Sequence, residues 1–411
     1  MDSSNAVSFF SKLFEKSDHF EIQQLFTASA TAYLDDPRQK INAPIFVLNL
    51  IDIWRKLLPE LVFQIKECEI SADIVKVRWK VRGIHSGRAY NQKATYREIE
   101  FSGRARFAFI GEKINECWGD WGLTNLSAAV CVSLDDLTRH VSCQEIGVRC
   151  RIHDHPTGVP LVFFPVMSMP GWMTWRSVLQ KTRGIRPSGS LQLISSMRAF
   201  LHLPVPEGYR SSTEVEAIRR ELHSCGVDEP IDIIGHSAGG TIALEFAISF
   251  PNSVRSLVLI EPGPAWVLRK GGALSQAQEE FLQDQLNAFH GEITPDVLSQ
   301  VYKRSGLYPS DMDLFSSPHW PIHWAYREHL RFRGSLYSPD GDLEKLKTLN
   351  VPTLLITGTH ANVFYSAIAE ALSKFLPQST LIAMPGGHAP HMGNGEPAFL
   401  ETIASFYGRL A

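Results

Sequence analysis

The segment IDIIGHSAGG, residues 231–240, is the feature that most restricts the folds open to this chain. A short apolar run, typical of a strand covered on both faces, passes through one turn into the helical pattern TIALEFAISF. Such a turn forces its apex residue into strained backbone angles, and Gly235 and Gly239 let the neighbouring backbone approach closely. The hydroxyl of Ser237 is then left exposed at the end of the strand. We therefore predict a nucleophilic serine at the carboxyl end of a sheet.

Ser237 also lies where a helix begins, and the first backbone N–H groups of a helix have no partner within it. The N–H of Ala238 is therefore predicted to be one donor of an oxyanion hole. A serine needs a base to become nucleophilic at neutral pH, and MPGGHAPHMGNGEP offers two histidines. His388, directly after the glycine pair, is favoured as the base, and His391 is the alternative.

The chain from about Cys143 alternates between strand and helix patterns. Its strand-like runs are short and not alternating: VPLVFF (159–164), LQLIS (191–195), IDIIG (231–235), SLVLI (256–260), TLLIT (353–357) and LIAM (381–384). Runs of this kind are expected for strands that are buried on both faces. They predict a doubly wound, mostly parallel α/β sheet.

In GHSAGG followed by GGHAPH, the region of residues 144–411 resembles the α/β-hydrolase superfamily. The resemblance implies acyl-transfer chemistry with Ser237 as nucleophile and His388 as base. It also implies an acidic residue that orients the histidine.

The acid is not where this family often places it. The turn GTHA has Ala361 at that position, and alanine cannot stabilise an imidazolium. The neighbouring strand, in SLVLIEPGPAW, ends at Glu261, and adjacent strands lie only about 5 Å apart. Some haloalkane dehalogenases and esterases of the superfamily place their acid after this strand. We therefore predict Glu261 as the acid, with Asp340 and Asp342 as weaker substitutes.

The loop after the strand VPLVFF is expected to complete the oxyanion hole. Pro165 has no N–H, so the second donor is Val166 or Met167, and Met167 is favoured. The loop is apolar, and Val166 is also predicted to line the substrate pocket.

An insertion at about residues 263–349 is too long for a plain connection and is predicted to form a helical lid. Trp266 and Trp324 within it are candidates to wall an apolar substrate pocket, although aromatic residues at this spacing also fit the core of the lid itself.

Residues 1–130 show a different pattern. A helical period over residues 45–61 is followed by the strict alternation IVKVRWKVR, and two further strands at 101–109 and 114–121 flank a turn at 111–113. These elements predict an antiparallel meander packed on helices. We expect residues 131–143 to be a linker to the domain at 144–411.

The segments VRWKVRGIHSG, FAFIGEKI and ECWGDWGLTNL resemble the SnoaL-like, polyketide-cyclase-like branch of the NTF2-like α+β cone fold. The resemblance implies a pocket between sheet and helices, in which Trp118 and Asp120 are the candidate lining residues. Alternatively, Trp118 fills a core and Asp120 shapes a turn. The resemblance also implies a homo-oligomer formed through this domain.

The composition excludes several classes of protein. Hydrophobic residues make up 44% and charged residues 20%, with a net charge of −3, so nothing suggests a nucleic-acid partner. The sequence has no transmembrane run and no signal-peptide pattern, so we expect a cytoplasmic protein. The six cysteines form no CxxC pair, and the triplet His153-Asp154-His155 lies just before a predicted turn and is interpreted as a surface loop, so neither a metal nor another cofactor is predicted.

The sequence thus predicts a serine-nucleophile acyl-transfer enzyme that acts on a hydrophobic ester, thioester or lactone in specialised metabolism. One alternative is a cyclase, in which an internal nucleophile closes a lactone or ring. The other is a non-catalytic protein that binds a small ligand.

Overall fold

The structure of the protein is a computed structural model. It describes residues 3–15, 22, 24–34, 40–87, 94–142, 149–152, 159–166, 171–185, 190–194, 210–224, 227, 230–332 and 341–410. The chain divides into two compact units, one comprising Met1–Ile146 with His223–Gly226 and the other Gly147–Leu222 with Val227–Ala411.

The N-terminal unit contains a six-stranded sheet. Its strands are β1 (Phe26–Tyr33), β2 (Ile41–Asn42), β3 (Val62–Ser71), β4 (Ile74–Ile84), β5 (Glu98–Ile110) and β6 (Lys113–Asp120). The order in the sheet is β2-β1-β6-β5-β4-β3, so β3 to β6 form the predicted meander, and β1 pairs with β6 in parallel. The helices of this unit are α1 (Ser3–Glu15), α2 (Ala43–Leu57), α3 (Leu123–Val130) and α4 (Leu134–Ser142).

Aromatic side chains fill the space between this sheet and the helices. Val75, Val77, Trp79 and Val81 of β4 are buried, as the alternation predicts, while the charged positions between them face away. Trp79 of β4 contacts Trp54 of α2, with ring centroids 4.9 Å apart, and Phe14 of α1 stacks on Phe63 at 4.5 Å. The fold of the N-terminal unit is therefore held by a packed aromatic core.

The stretch 131–143, expected to be a linker, contains helix α4. Leu137 and Val141, four residues apart, are buried, and His140 Nε2 lies 3.0 Å from a carboxylate oxygen of Asp52 on α2. The described contacts place α4 in the N-terminal unit, which extends to Ile146.

The C-terminal unit contains a seven-stranded sheet. Its strands are β7 (Arg149–Ile152), β8 (Leu161–Phe164), β9 (Ser190–Ile194), β10 (Ile231–His236), β11 (Val254–Ile260), β12 (Thr353–Gly358) and β13 (Ser379–Met384). The order is β13-β12-β11-β10-β8-β9-β7, and only β7 among the described strands runs antiparallel to its neighbour. This sheet confirms the predicted α/β class.

Helices cover the sheet and fill the insertion. Outside the insertion they are α5 (Gly171–Ile185), α6 (Ser211–Ser224), α7 (Ala238–Ser249), α13 (Val363–Phe375) and α14 (Glu396–Gly408). Within it are α8 (Trp266–Lys270), α9 (Gln276–Asn287), α10 (Pro295–Arg304), α11 (Trp320–Ala325) and α12 (Leu343–Thr348). Short 3₁₀ turns cover Pro251–Ser253, Arg327–Phe332 and Gly393–Gly395.

Candidate active site

Ser237 occupies a sharp turn between β10 and α7. Its φ of 52° and ψ of −117° are strained for a residue with a side chain. A Cβ at Gly235 would lie 2.7 Å from the carbonyl oxygen of Gly239, and a Cβ at Gly239 would lie 2.3 Å from that of Pro165. Only glycine fits at both positions, which explains the spacing of the motif.

His388 lies next to Ser237 on the loop after β13. Its Nε2 is 2.8 Å from the hydroxyl oxygen of Ser237. The two preceding glycines permit this path, since Gly386 has a φ of 131° and a Cβ at Gly387 would lie 2.3 Å from the carbonyl oxygen of Gly306. The imidazole packs against the ring of Tyr365, with centroids 4.1 Å apart.

Glu261 completes the hydrogen-bonded chain. One carboxylate oxygen lies 3.2 Å from Nδ1 of His388, and the other accepts a 2.8 Å hydrogen bond from the N–H of Gly358. β11 and β12 pair in parallel, with Ile260 opposite Ile356. Glu261 directly follows β11, so it lies beside the turn after β12, which has Ala361 at the position where the family often has its acid. Glu261 itself has a φ of 46°, a second strained residue at this edge of the sheet.

Burial disfavours a negative charge on Glu261 unless a positive charge forms beside it. Removal from water raises the pKa of this carboxyl to about 8, and the hydrogen bond from Gly358 partly opposes the shift. A carboxylate in such surroundings interacts strongly with an imidazolium, since little solvent screens the pair. The arrangement suits an acid that stabilises protonated His388 during a reaction.

The alternative acids do not share this geometry. Asp342 caps helix α12 by accepting a hydrogen bond from the N–H of Glu344, and Asp340 lies outside the described residues. Ala361 occupies the turn after β12 as expected, and the next residue, Asn362, caps α13. Among the described candidates, Glu261 is therefore the acid whose carboxylate lies within hydrogen-bonding distance of His388.

The predicted oxyanion donors are partly described. Ala238 is the first residue of α7, where its N–H has no partner within the helix. Val166 is buried just after β8. Met167 lies outside the described residues, so the second donor stays a prediction.

Two further histidines, His236 and His391, lie beside this chain. His391, the alternative base, is buried against Trp175 and does not reach Ser237; among the described residues its ring has no hydrogen-bond partner. Nε2 of His236 lies 2.7 Å from the carbonyl oxygen of His388. Reasoning from the sequence missed His236, although a polar residue at the end of an apolar strand, next to the nucleophile, was a usable signal.

The insertion lies against the loop that carries the histidine. The N–H of His388 donates a 2.9 Å hydrogen bond to the carbonyl oxygen of Gly306, and the Asn362 side chain donates to the carbonyl oxygen of Arg304. Both acceptors lie at the end of α10. The insertion is therefore attached to the catalytic edge of the sheet.

The tryptophans predicted to wall a pocket take part in packing. Trp266 is buried, and a Cβ at Gly341 would lie 2.0 Å from its ring. Trp324 stacks on Trp320 and carries the guanidinium of Arg327 at 4.1 Å from its ring centroid. Trp324 packs against the insertion's own apolar cluster. This contact agrees with the alternative that the aromatic residues form the core of the lid.

Trp118 and Asp120 line a groove, but it does not lie between the sheet and the helices, where the resemblance placed their pocket. The register of β6 with β5 shifts between Ile114 and Glu116, so Asn115 is an extra residue that forms a β-bulge. Ile114 therefore faces the core, whereas Trp118 and Asp120 lie on the opposite face in an open groove of about 600 Å³. Charged side chains also line this groove: Glu67, Glu69, Lys76, Arg78, Arg104 and Arg106.

Within the described residues, no group of three or more potential metal ligands is found. His323 of the insertion is instead bound to the hydroxyl of Tyr308, at 2.6 Å. None of the described helices is long and apolar enough to cross a membrane.

Two protein families match separate parts of the chain. Residues 4–128 match the SnoaL-like polyketide cyclases, and residues 202–394 match the alpha/beta hydrolase fold. Both halves of the predicted fusion are thereby confirmed.

Individual curated relatives each match about half of this chain. The chain is 25% identical over 246 residues to 2-hydroxy-6-oxo-2,4-heptadienoate hydrolase of Pseudomonas putida. This match covers 57% of this chain and 84% of that protein. It is 33% identical over 189 residues to 2-hydroxymuconate semialdehyde hydrolase of a Pseudomonas species, covering 42% and 62%. It is also 26% identical over 204 residues to the polyketide synthase ThaQ of Burkholderia thailandensis, covering 46% and 9%. The last two matches span less than two thirds of those proteins.

Solved structures with a similar fold include MenH from S. aureus, with a TM-score of 0.49 and 18% identity over 64% of this chain and 98% of that one. An esterase from Exiguobacterium antarcticum has a TM-score of 0.48 and 18% identity, over 63% of this chain and 96% of that one. Together with the hydrolase relatives, the family match identifies a hydrolase-type enzyme.

Proposed function

Because the chain joins a SnoaL-like domain to an α/β-hydrolase domain, we propose that it is a serine-dependent acyl-transfer enzyme for a hydrophobic ester, thioester or lactone of specialised metabolism. The observation that carries the proposal is the hydrogen-bonded chain from Ser237 through His388 to Glu261. Backbone strain is enriched at reactive sites, and two residues of this hydrogen-bonded chain, Ser237 and Glu261, are strained.

In the proposed reaction, the Ser237 hydroxyl oxygen attacks the substrate carbonyl while Nε2 of His388 takes its proton. Glu261 holds Nδ1–H of His388 and stabilises the imidazolium. The N–H of Ala238 donates to the oxyanion, and His388 then protonates the leaving group. A second nucleophile, activated by His388, releases the acyl group from Ser237.

Support for a hydrophobic substrate comes from the apolar surroundings of the nucleophile. Phe164 and Val166 at the end of β8 are buried beside the turn, and the insertion over the histidine loop contains an aromatic cluster. Support for specialised metabolism is the similarity to a polyketide synthase together with the SnoaL-like domain.

The test is labelling with a fluorophosphonate, followed by mass spectrometry of the digested protein. We expect an adduct on Ser237 in the wild type and none in Ser237→Ala. Ser249→Ala, at the far end of α7, is the matched control and should label normally. A folded wild-type protein without an adduct would favour the non-catalytic, ligand-binding alternative.

Cyclisation is the second candidate, favoured by the burial of the site. Ser237 is only 7% exposed and His388 only 2%. Exclusion of water helps an internal hydroxyl or carbanion to compete for the acyl-enzyme. Turnover of hydroxy-acyl thioesters in ¹⁸O-water separates the two reactions, because hydrolysis labels the acid product and ring closure leaves the product unlabelled.

A further inference from the structure

Three histidine rings form a buried row beside the nucleophile. The ring centroids of His388 and His236 are 5.2 Å apart, and those of His236 and His391 are 4.5 Å apart. His236 and His391 are fully buried, and the reaction derived above uses neither of them. Because burying a polar ring costs free energy unless it is hydrogen-bonded, two such rings at this place call for a physical explanation.

The contact of His236 with His388 fixes which nitrogen carries the proton. Nε2 of His236 lies 2.7 Å from the carbonyl oxygen of His388, and a carbonyl can only accept. His236 is therefore the donor, through Nε2–H. Its backbone is fixed as the last residue of β10, opposite Ile260 of β11.

His388 itself lies on a loop and depends on outside contacts for its position. Its N–H is bound to Gly306, its ring is bound to Glu261, and its carbonyl is bound to His236. The first contact comes from the insertion and the second from a side chain. The third joins the loop to the same strand that presents the nucleophile.

We propose that His236 is a positioning residue, whose Nε2–H fixes the backbone of His388 relative to the strand that carries Ser237. The inference rests on the proposed acyl-transfer function. His391 holds the ring of His236 in place, since it packs between that ring and Trp175, with centroids 4.8 Å apart on the tryptophan side.

The electrostatics are consistent with this role. Burial, and then the nearby His388, lower the pKa of His236 to about 3, and burial holds the pKa of His391 well below its usual range. Both rings are therefore neutral while His388 gains and loses its proton. A neutral support adds no second cation beside the imidazolium.

Two variants separate positioning from simple packing. In His236→Gln the side-chain amide nitrogen reaches about as far as Nε2 and keeps the donor, whereas in His236→Asn it reaches only as far as Nδ1. We expect His236→Asn to lower the rate of fluorophosphonate labelling and kcat about 100-fold with little change in KM, and His236→Gln to stay within about fivefold of wild type. Equal rates for the two variants would overturn the proposal.

A measurement that needs no activity accompanies the kinetics. Side-chain ¹H–¹⁵N spectra of the histidines should show His236 protonated on Nε2, and the Nδ1–H resonance of His388 should move in His236→Asn but not in His236→Gln. If the wild-type protein forms no adduct, the proposed function fails, and the spectra decide the positioning role alone. An unchanged His388 resonance in His236→Asn would then refute it.

Discussion

The two sheets of this chain use buried side chains in different ways. Between the N-terminal sheet and its helices, the described interior is filled by aromatic rings such as Trp54 and Trp79, and the charged residues of the sheet face away. At the carboxyl ends of the C-terminal strands, the interior holds Ser237, Glu261 and His388. The first interior is packed for stability, whereas the second keeps polar groups where they interact with one another.

Backbone strain does not by itself separate the two units, since Ala72, Tyr96 and Cys131 of the N-terminal unit also have positive φ angles. Ser237 and Glu261, both at strand ends of the C-terminal sheet, have positive φ angles. Strain of this kind persists only when surrounding contacts enforce it, and it often marks reactive sites. Ser237 and Glu261 are the strained residues that contact His388, so we propose that the chemistry takes place in the C-terminal unit and that the N-terminal one is a scaffold. The following variants can break or sharpen this contrast.

The largest effect is expected for Glu261→Gln. The Gln amide group would accept from Gly358 and present an N–H₂ to Nδ1 of His388, which forces the wrong tautomer. Turnover of an ester should fall about 10³- to 10⁴-fold. Steady-state kinetics measure it, with Glu279→Gln on the exposed side of α9 as the control. Wild-type turnover in Glu261→Gln would show that another group acts as the acid.

The sequence was informative where one motif carried both geometry and chemistry. The glycines around Ser237 and before His388 are required by close backbone approach, so the motif itself encodes the turn. The sequence also predicts Glu261, because Ala361 leaves no carboxylate at the usual position and the ends of neighbouring strands are close in space. The apolar spacing of Leu137 and Val141 also indicates the helix that the structure has within the predicted linker.

Other features depend on contacts that the local pattern does not contain. The alternation along β6 gives no sign of the bulge at Asn115, which moves Trp118 and Asp120 to the outer face. The role of His236 depends on a carbonyl 152 residues away in the chain. Register shifts and long-range hydrogen bonds of this kind are set by the folded structure as a whole.

Stability provides the next comparison, through Trp79→Ala and Trp118→Ala. Trp79 is buried against Trp54 and Phe101, so its loss should lower the free energy of unfolding by about 3–5 kcal/mol. Trp118 is half-buried in the open groove, so its replacement by alanine should lower the free energy of unfolding by about 1 kcal/mol or less. Denaturant titration measures both, and similar losses would contradict the assigned faces of β4 and β6.

A smaller effect on the free energy of unfolding is expected when the pH is lowered. Because the folded-state pKa values of His236 and His391 are lowered, the unfolded chain binds more protons below pH 6.5, and stability falls as pH falls. At about 1.4 kcal/mol per pH unit, His236 should lower the free energy of unfolding by about 2 kcal/mol by roughly pH 5, and His391 should add a loss of the same sign. In His391→Phe, which keeps an aromatic ring beside Trp175, the loss of unfolding free energy between pH 7.5 and 5 should be smaller than in the wild type. Denaturant titrations at the two pH values measure the loss. If variant and wild type lost the same free energy of unfolding, the ring of His391 would not be buried in its neutral form.

The smallest effect is expected for Asp120→Asn. One Asp120 oxygen accepts a 2.9 Å hydrogen bond from the N–H of Gly122, whose φ is 72°, and an asparagine side chain keeps that acceptor. The substitution removes only the charge from the groove, so ester turnover should stay within about twofold of wild type and the unfolding midpoint should barely move. Turnover that fell tenfold or more in folded protein would make the Asp120 carboxylate part of the chemistry. The division between a scaffolding sheet and a reactive one would then have to be abandoned.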